Sequence, residues 1–367
     1  MARTKLFRAP HKYIQAENCL LEFCEETKML GDKFLFICSR SAHRTIRPLV
    51  EKSFEEAGSD ASRHYEVFGG ISSLGEIAKF RKMVQDEGIN VIVGSGGGSA
   101  IDTAKATAYY EGLPVIVIPT VCATDAACTG LSVLYNDDHT FNSYIFYPKN
   151  PDIVMVDSGI IANAPVKFLV SGMGDALGTY FEARVCASND SPSLENGGIM
   201  RSAMALCRCC YDTIREYGLQ AKAACENHVV TPPLDAVIEA NTYLSGVGAD
   251  NGGLCVAHSV YDGLTALEER KVDHGDCVAY GTLAQLILEG APKEEYEEVL
   301  FFCKEIGLPT TLEDLGITDP ERVKIAAEKA TIEGESIHNM PGDVTAVQLY
   351  AAMIAVDAMS KKYFPEG

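Results

Sequence analysis

Two histidines and one aspartate stand in sequence surroundings that favour a chemical role. His258 lies inside the small, apolar run GGLCVAHSV, and His274 ends the charged segment EERKVDH. Asp175 lies in SGMGDALGTYFEA, which is otherwise mostly small or apolar. A carboxylate in an apolar core needs a cation or hydrogen-bond donors to offset the cost of its burial. Two imidazoles and one carboxylate, with a fourth position open, form the ligand set of a catalytic zinc or iron(II) site.

The spacing of the histidines requires a break in the chain between them. Each residue of an α-helix turns by about 100°, so a separation of 16 residues would put His258 and His274 on nearly opposite faces of one helix. The charged segment supplies the break, and a new helix start at His274 could bring two helix ends together. Taken alone, each histidine is more typical of a hydrogen-bonded core residue than of a metal ligand. Together with Asp175, the two interpretations, core residues and metal ligands, are equally supported. Cys255 is the candidate fourth ligand if the metal is structural.

A second candidate site is a glycine loop. The segment VIVGSGGGSAIDTAK passes from an apolar strand through Gly96, Gly97 and Gly98 into a helix. Free N–H groups at a helix N-terminus bind phosphate, and glycines let the backbone approach it closely. The G-x-G-x-x-G fingerprint is absent because Ser99 stands at its last position, and no P-loop lysine follows. We predict that the loop binds the phosphates of a nucleotide; a tight turn without a ligand is the alternative.

The elements that must position these residues change in character along the chain. Runs such as KFLFICS, INVIVGSGGG and PVIVIPT alternate with helical segments, and LSVLYNDDHTFNSYIFYP predicts a hairpin. This pattern predicts an α/β nucleotide-binding domain with a parallel sheet at residues 1–164. Strand signals then end, and long helical periods predict an all-α metal-binding and catalytic domain at residues 165–367. We expect the active site in the cleft between the two.

Composition excludes several classes of partner. The formal net charge of −20 argues against nucleic acid or an anionic membrane, because both require a basic face. Thirteen cysteines, an odd number, favour reduced thiols over a disulfide framework. No apolar run suits a signal peptide or a membrane span. We therefore expect a cytoplasmic protein.

Longer motifs carry a family resemblance. The motifs are GSGGGSAIDTAK, IPTVCATDAACTGLSVLY, YPKNPDIVMVDSGIIANAP, SGMGDALGTYFEAR, HVVTPPLDAVIEANTYLSGVG, GGLCVAHSVYDGLTAL, HGDCVAYGTL and EGESIHNMPG. Together they resemble the glycerol dehydrogenases, the zinc-using branch of the iron-dependent alcohol dehydrogenase superfamily. The resemblance covers nearly the whole chain in the family's order, and it implies a dehydroquinate synthase-like architecture and a homo-oligomer.

The resemblance also implies roles for individual residues. Asp175, His258 and His274 match the metal triad, with zinc favoured over iron(II), and His258 is thereby counted as catalytic. Asp125 matches the residue that contacts the substrate, where its carboxylate could accept hydrogen bonds from a polyol; a helix cap or turn is the alternative. The predicted contacts with NAD are Ser39, Gly96, Gly97, Gly98, Ser99, Asp102, Thr120, Thr124, Thr129, Leu131 and Tyr135.

Two departures from the family pattern concern the cofactor. The first strand of the family usually ends in an aspartate that accepts from the adenosine ribose 2′-OH, whereas this chain has Ser39 followed by Arg40. Loss of the acid removes the bias against a 2′-phosphate, so NADP becomes a second candidate beside NAD. Ser99 also replaces the lysine of the family's GGGK, which removes one positive charge near the phosphates.

The reaction implied is metal-dependent hydride transfer between a small polyol and NAD(P). Glycerol would give dihydroxyacetone, and another 1,2-diol would give a hydroxyketone. The alternatives are a dehydroquinate synthase-like lyase and a related dehydrogenase acting on phosphorylated glycerol or hydroxy acids. The lyase and the phosphoglycerol enzyme need several basic residues in the pocket, and the segments around Asp175 and His258 offer almost none. The non-enzymatic alternative is a nucleotide-binding protein with a structural metal.

Overall fold

The strands of the described chain lie in its first half, together with five helices. A computed structural model of the protein describes residues 3–137 and 140–365. The strands are β1 (Lys12–Ala16), β2 (Lys33–Cys38), β3 (Ser62–Val67), β4 (Val91–Gly96), β5 (Val115–Pro119), β6 (Leu131–Tyr135), β7 (Phe141–Phe146) and β8 (Ile153–Asp157). The helices of the first half are α1 (Phe23–Thr27), α2 (Arg40–Glu56), α3 (Leu74–Glu87), α4 (Gly98–Glu111) and α5 (Ser158–Ala162).

The second half of the described chain is helical. Its helices are α6 (Val166–Ser188), α7 (Arg201–Glu226), α8 (Pro232–Glu239), α9 (Ser245–Gly252), α10 (Val256–Leu264), α11 (His274–Glu289), α12 (Lys293–Ile306), α13 (Val323–Ala330) and α14 (Ala346–Tyr363). A π-helical turn at Ala240–Leu244 joins α8 to α9. The predicted fold class, a parallel α/β part followed by an all-α part, is confirmed.

The chain forms two compact units that are each discontinuous in sequence. The sheet unit comprises Arg8–Val166 together with Ala223–Gly246. The helical unit comprises Lys167–Lys222 and the chain from Val247 onward, together with the described residues up to Phe7. The division into a cofactor-binding and a catalytic domain at residues 164 and 165 stays a prediction.

The main sheet brings three predicted cofactor segments to one edge. Its strands are parallel, in the order β1-β8-β5-β4-β2-β3. Nearly every residue of β2, β4, β5 and β8 is buried, as expected for a parallel sheet covered on both faces. Cys38 pairs with Ser95, and Gly96 pairs with Pro119. The segments after β2, β4 and β5 therefore start side by side at the carboxyl edge, where α/β sheets bind ligands.

The predicted hairpin is also present. Strands β6 and β7 pair antiparallel, with Leu131 opposite Phe146. Its expected turn includes Asp138 and His139, which lie outside the described residues.

Close backbone contacts hold the helices of the helical unit together. A Cβ atom at Gly275 of α11 would lie 1.8 Å from the carbonyl oxygen of Ser171 in α6. A Cβ atom at Gly281 would lie 2.5 Å from the carbonyl oxygen of Ala257 in α10. Only glycine allows helices to approach so closely, and the contacts bring α11 against both α6 and α10.

Most of the cysteine side chains are buried. Twelve of the thirteen free cysteines are buried, and Cys209 on α7 is exposed.

Among the described residues, no helix combines the length and apolar character that crossing a bilayer requires.

Candidate functional site

The predicted metal ligands meet in the helical unit. One ligand atom from each of Asp175, His258 and His274 lies within 4.8 Å of the other two. The Oδ1 atom of Asp175 is 3.2 Å from His274 Nε2 and 3.4 Å from His258 Nε2. Asp175 lies in the middle of α6, His258 near the start of α10, and His274 at the first position of α11. The break predicted between the histidines is present, because α10 ends at Leu264 and α11 begins at His274.

The donor set suits a divalent metal ion. One carboxylate oxygen and two imidazole nitrogens match the ligands of open zinc and iron(II) sites. Within the part of the chain that the structure describes, these three residues make up the cluster, and Cys255 is not a member. The arrangement therefore fits a catalytic metal site with three protein ligands better than a closed structural site with four.

The electrostatics of the cluster favour positive charge. Burial raises the pKa of Asp175, but the imidazoles of His274 and His258 outweigh it and leave that pKa below its ordinary value. Burial lowers the pKa of His258, but Glu182 and Asp175 outweigh it and leave that pKa well above its ordinary value. Either a proton or a cation can meet this demand for positive charge at the centre of the cluster.

Glu182 is the residue of this site that sequence reasoning missed. Its side chain is fully buried on α6, seven residues after Asp175. The Oε2 atom lies 2.6 Å from His258 Nδ1, and Oε1 accepts the backbone N–H groups of Cys255 at 2.8 Å and His258 at 3.0 Å. A second acid two helical turns from Asp175, on the same face of an apolar helix, was the available signal.

Further side chains hold the start of α10. Gln285 accepts the N–H of Val256 at 3.2 Å. The hydroxyl of Ser336 donates to the carbonyl of Cys255 at 2.6 Å, and the amide of Asn339 donates to the carbonyl of Leu254 at 2.8 Å. The motif EGESIHNMPG, which contains Ser336 and Asn339, therefore supports the helix that carries a metal ligand.

His274 is held by a different set of contacts. Its ring packs edge to face against Tyr261, with ring centroids 4.2 Å apart. The following N–H, of Gly275, donates to the Ser171 hydroxyl at 3.2 Å, and a capping box of Asp273 and Asp276 begins the helix.

The glycine loop forms a separate cluster in the sheet unit. Gly97 caps α4, and Gly98 is its first residue. Gly96 has φ 143°, a conformation that favours glycine, and a Cβ atom there would lie 2.9 Å from Ser39 Oγ. A Cβ atom at Gly98 would lie 3.7 Å from Thr124 Oγ1. Ser99 follows Gly98 in the first turn of α4, and the N–H of Thr120 donates to the carbonyl of Gly96 at 3.1 Å.

Ser39 begins a basic helix face beside this loop. Its hydroxyl caps α2 by accepting the N–H of Ala42 at 3.2 Å. Arg40, His43, Arg44 and Arg47 follow at the spacing that places side chains on one helix face. Arg40 and Arg44 are exposed, and the Arg47 guanidinium lies 4.9 Å from the centre of the Tyr65 ring. This concentration of positive charge stands out in a chain of net charge −20.

The buried carboxylate of Asp102 has protein partners that offset the cost of its burial without a cofactor. It is buried and lies 3.1 Å from the Lys105 ammonium, and its Oδ2 accepts the N–H of Val133 at 3.1 Å. Lys105 is also buried and donates to the carbonyls of Ala126, at 2.8 Å, and Leu131. The Asp102 carboxylate thus contacts Lys105 and the hairpin, and its assignment to cofactor binding stays a prediction.

Asp125 lies in the segment that Lys105 holds. It is half-buried and begins a short 3₁₀ turn, Asp125–Ala127, whose cap is Thr124 and not Asp125. The Asn241 amide donates to the carbonyl of Cys122 at 3.2 Å, so the segment is fixed on both sides of Asp125. The cap alternative for Asp125 therefore loses its support, whereas the turn alternative stands, because Asp125 is the first residue of this turn.

The remaining predicted cofactor contacts continue into the hairpin. Thr129 is buried, and its Oγ1 lies 3.5 Å from the Lys105 ammonium. Leu131 and Tyr135 are the first and last residues of β6, and the N–H of Tyr135 donates to the carbonyl of Ser72 at 2.9 Å. The structure brings these residues into the same unit as the glycine loop.

Comparisons with known proteins agree on one family. The model of a family described as iron-containing alcohol dehydrogenase matches residues 10–158. The chain is 43% identical over 365 residues to a glycerol dehydrogenase of Escherichia coli, covering 99% of each chain. It is 40% identical to a glycolaldehyde reductase of Halobacterium salinarum, covering 98% of this chain and 99% of that one. The crystal structure of a Schizosaccharomyces pombe glycerol dehydrogenase matches with a TM-score of 0.94 and 35% identity, covering 99% of this chain and 92% of that one.

Proposed function

Because this chain belongs to the iron-containing alcohol dehydrogenase family, we propose that it oxidises a small polyol, with glycerol as the first candidate, and passes the hydride to a nicotinamide dinucleotide. Family membership makes it an oxidoreductase of the alcohol dehydrogenase type. The single observation that carries the proposal is the convergence of Asp175, His258 and His274. The lyase and phosphoglycerol alternatives are not favoured, since full-length relatives at 41–43% identity are named glycerol dehydrogenases.

We propose that Asp175, His258 and His274 hold one zinc ion. The family implies a divalent metal, and the buried carboxylate with two imidazole nitrogens is a donor set that zinc accepts. When bound, the ion supplies Lewis-acid polarisation of the substrate hydroxyl. The chain's own part is to hold the three donors in fixed positions, which the backbone contacts of α11 with α6 and α10 support.

We propose that the glycine loop and the neighbouring strand ends bind the dinucleotide. Gly96, Gly97 and Gly98 would admit the pyrophosphate at the start of α4, with Ser99 beside it. Ser39 and the basic face of α2 would lie at the adenosine ribose, which supports acceptance of NADP as well as NAD. Thr120, Thr124, Thr129, Leu131 and Tyr135 would bind the nicotinamide side, where the cofactor supplies the hydride acceptor.

We propose that Asp125 selects polyols. Its carboxylate is half-buried and sits on a segment that Lys105 and Asn241 hold by backbone carbonyls. A carboxylate on a segment fixed in this way can accept hydrogen bonds from the hydroxyls of a polyol. It disfavours a substrate that lacks the second hydroxyl.

One experiment tests the proposal as a whole. Purified protein should contain one zinc per chain by elemental analysis, and it should oxidise glycerol or 1,2-propanediol with NAD or NADP. A protein that binds no divalent metal, or that turns over none of these diols or dihydroxyacetone, would contradict it. Sedimentation of the same sample tests the homo-oligomer that the family resemblance implies.

A further inference from the structure

We propose that Glu182 is a positioning residue that decides which ring nitrogen of His258 is available to a metal ion. This inference rests on the proposed metal site. Glu182 lies outside the predicted ligand set, and its side chain contacts the predicted ligand His258.

The first step concerns the proton on the imidazole. An ionised carboxylate can only accept hydrogen bonds, so the contact of 2.6 Å between Glu182 Oε2 and His258 Nδ1 requires the proton on Nδ1. In the neutral ring, Nε2 then keeps its lone pair. Nε2 is the nitrogen that faces Asp175, at 3.4 Å from Oδ1. The tautomer that Glu182 selects is therefore the one that can bind a metal beside Asp175.

The second step concerns the backbone. Oε1 of the same carboxylate accepts the N–H groups of Cys255 and His258 at the start of α10. One side chain thus fixes both the ring and the main chain of His258. Glu182 lies on α6, the helix that also carries Asp175, so α6 holds His258 in position relative to Asp175.

The third step concerns charge. Asp175 and Glu182 are both fully buried. Two carboxylates together with one divalent cation carry no net charge, whereas either carboxylate alone would leave a buried excess of positive charge. The pair therefore suits a divalent ion.

The substitution Glu182→Gln separates these roles from simple packing. Glutamine has the same size, and its Oε1 can still accept the two N–H groups. Its amide nitrogen, however, would donate toward His258 Nδ1 and move the ring proton to Nε2. We expect the zinc affinity, measured by competition with a chromophoric chelator, to fall about 10- to 100-fold. We expect Glu182→Asp, which keeps a carboxylate at shorter reach, to bind zinc more tightly than Glu182→Gln.

Controls distinguish the possible outcomes. Glu295→Gln changes a glutamate of α12 that pairs with Arg184, and it should leave the zinc affinity unchanged. Wild-type affinity in Glu182→Gln would overturn the inference, as would equal losses in the Gln and Asp variants that follow their melting temperatures. If Glu182→Gln does not fold, nitrogen NMR of the histidine rings in the zinc-loaded wild-type protein decides: a His258 ring proton on Nε2 instead of Nδ1 would overturn the inference. Absence of zinc from the wild-type protein would instead contradict the proposed function.

Discussion

Replacing Ser39 by aspartate is expected to shift the cofactor preference strongly toward NAD. Ser39 follows β2 and lies next to Gly96 of the glycine loop. Aspartate caps a helix as well as serine does, so α2 should keep its start and the protein its stability. The change therefore adds one negative charge at the proposed ribose site without removing the hydrogen bond that Ser39 now makes with the N–H of Ala42.

The expected size of the shift has two parts. The 2′-phosphate of NADP carries about 1.5 to 2 negative charges, and a carboxylate about 5 Å away in a water-like medium repels it by about 1–2 kcal/mol. A water-like medium is the appropriate limit because Ser39 is partly exposed to solvent. A hydrogen bond from the ribose 2′-OH of NAD to the new carboxylate adds about 1.5 kcal/mol in the same direction. The sum, about 3 kcal/mol, corresponds to about a 100-fold change in selectivity.

The assay is the ratio of kcat/KM for NAD to that for NADP, measured with one diol at saturation. Ser59→Asp is the matched control, because it adds the same charge beyond the far end of α2, which is about 25 Å long. An unchanged ratio in Ser39→Asp, or a shift equal to that of Ser59→Asp, would refute the placement of the ribose beside Ser39.

Three further predictions concern the metal, the substrate and the fold. Dialysis against a strong chelator should abolish activity that added zinc restores, and His258→Ala should lose both zinc and turnover while keeping its circular dichroism spectrum; full activity in metal-free protein would contradict the metal site. Asp125→Asn should raise KM for 1,2-propanediol much more than for 2-propanol, whereas equal effects on both would place diol selectivity elsewhere. Lys105→Met should lower the free energy of unfolding by about 3–5 kcal/mol, because it leaves Asp102 as a buried charge without its partner; a denaturant titration checks this, and Lys105→Met with wild-type stability would mean that the ion pair is not essential.

The fold was predictable because its strands carry strong local signals. The buried strands of a parallel sheet are continuous apolar runs, as in β2 and β8. Two β runs separated by a short turn segment are typical of a hairpin. The helix break before His274 was also predictable, because 16 residues of unbroken helix would have separated the histidines.

Contacts between distant helices were not predictable in the same way. The contact between Glu182 and His258 could not be predicted from the sequence, because it depends on how α6 packs against α10. The i,i+3 spacing of Asp102 and Lys105 permits an ion pair, but only the packed structure shows that the lysine faces the segment around Asp125. The assignment of Asp102 to cofactor binding comes from motif matching, which does not show the partners of a residue, and it stays a prediction.

The distribution of thiols gives this protein an internal set of reporters on its own motions. Twelve sulfurs are buried in both compact units, and the thirteenth, in Cys209, is exposed. Under native conditions a thiol reagent should modify Cys209 at once and each buried thiol only when its own segment opens. The labelling rates would then give opening free energies segment by segment, with Cys38 reporting on the end of β2 and Cys255 on the start of α10. Ligand-dependent protection of a single thiol would locate where a metal or a cofactor rigidifies the chain, without any substitution.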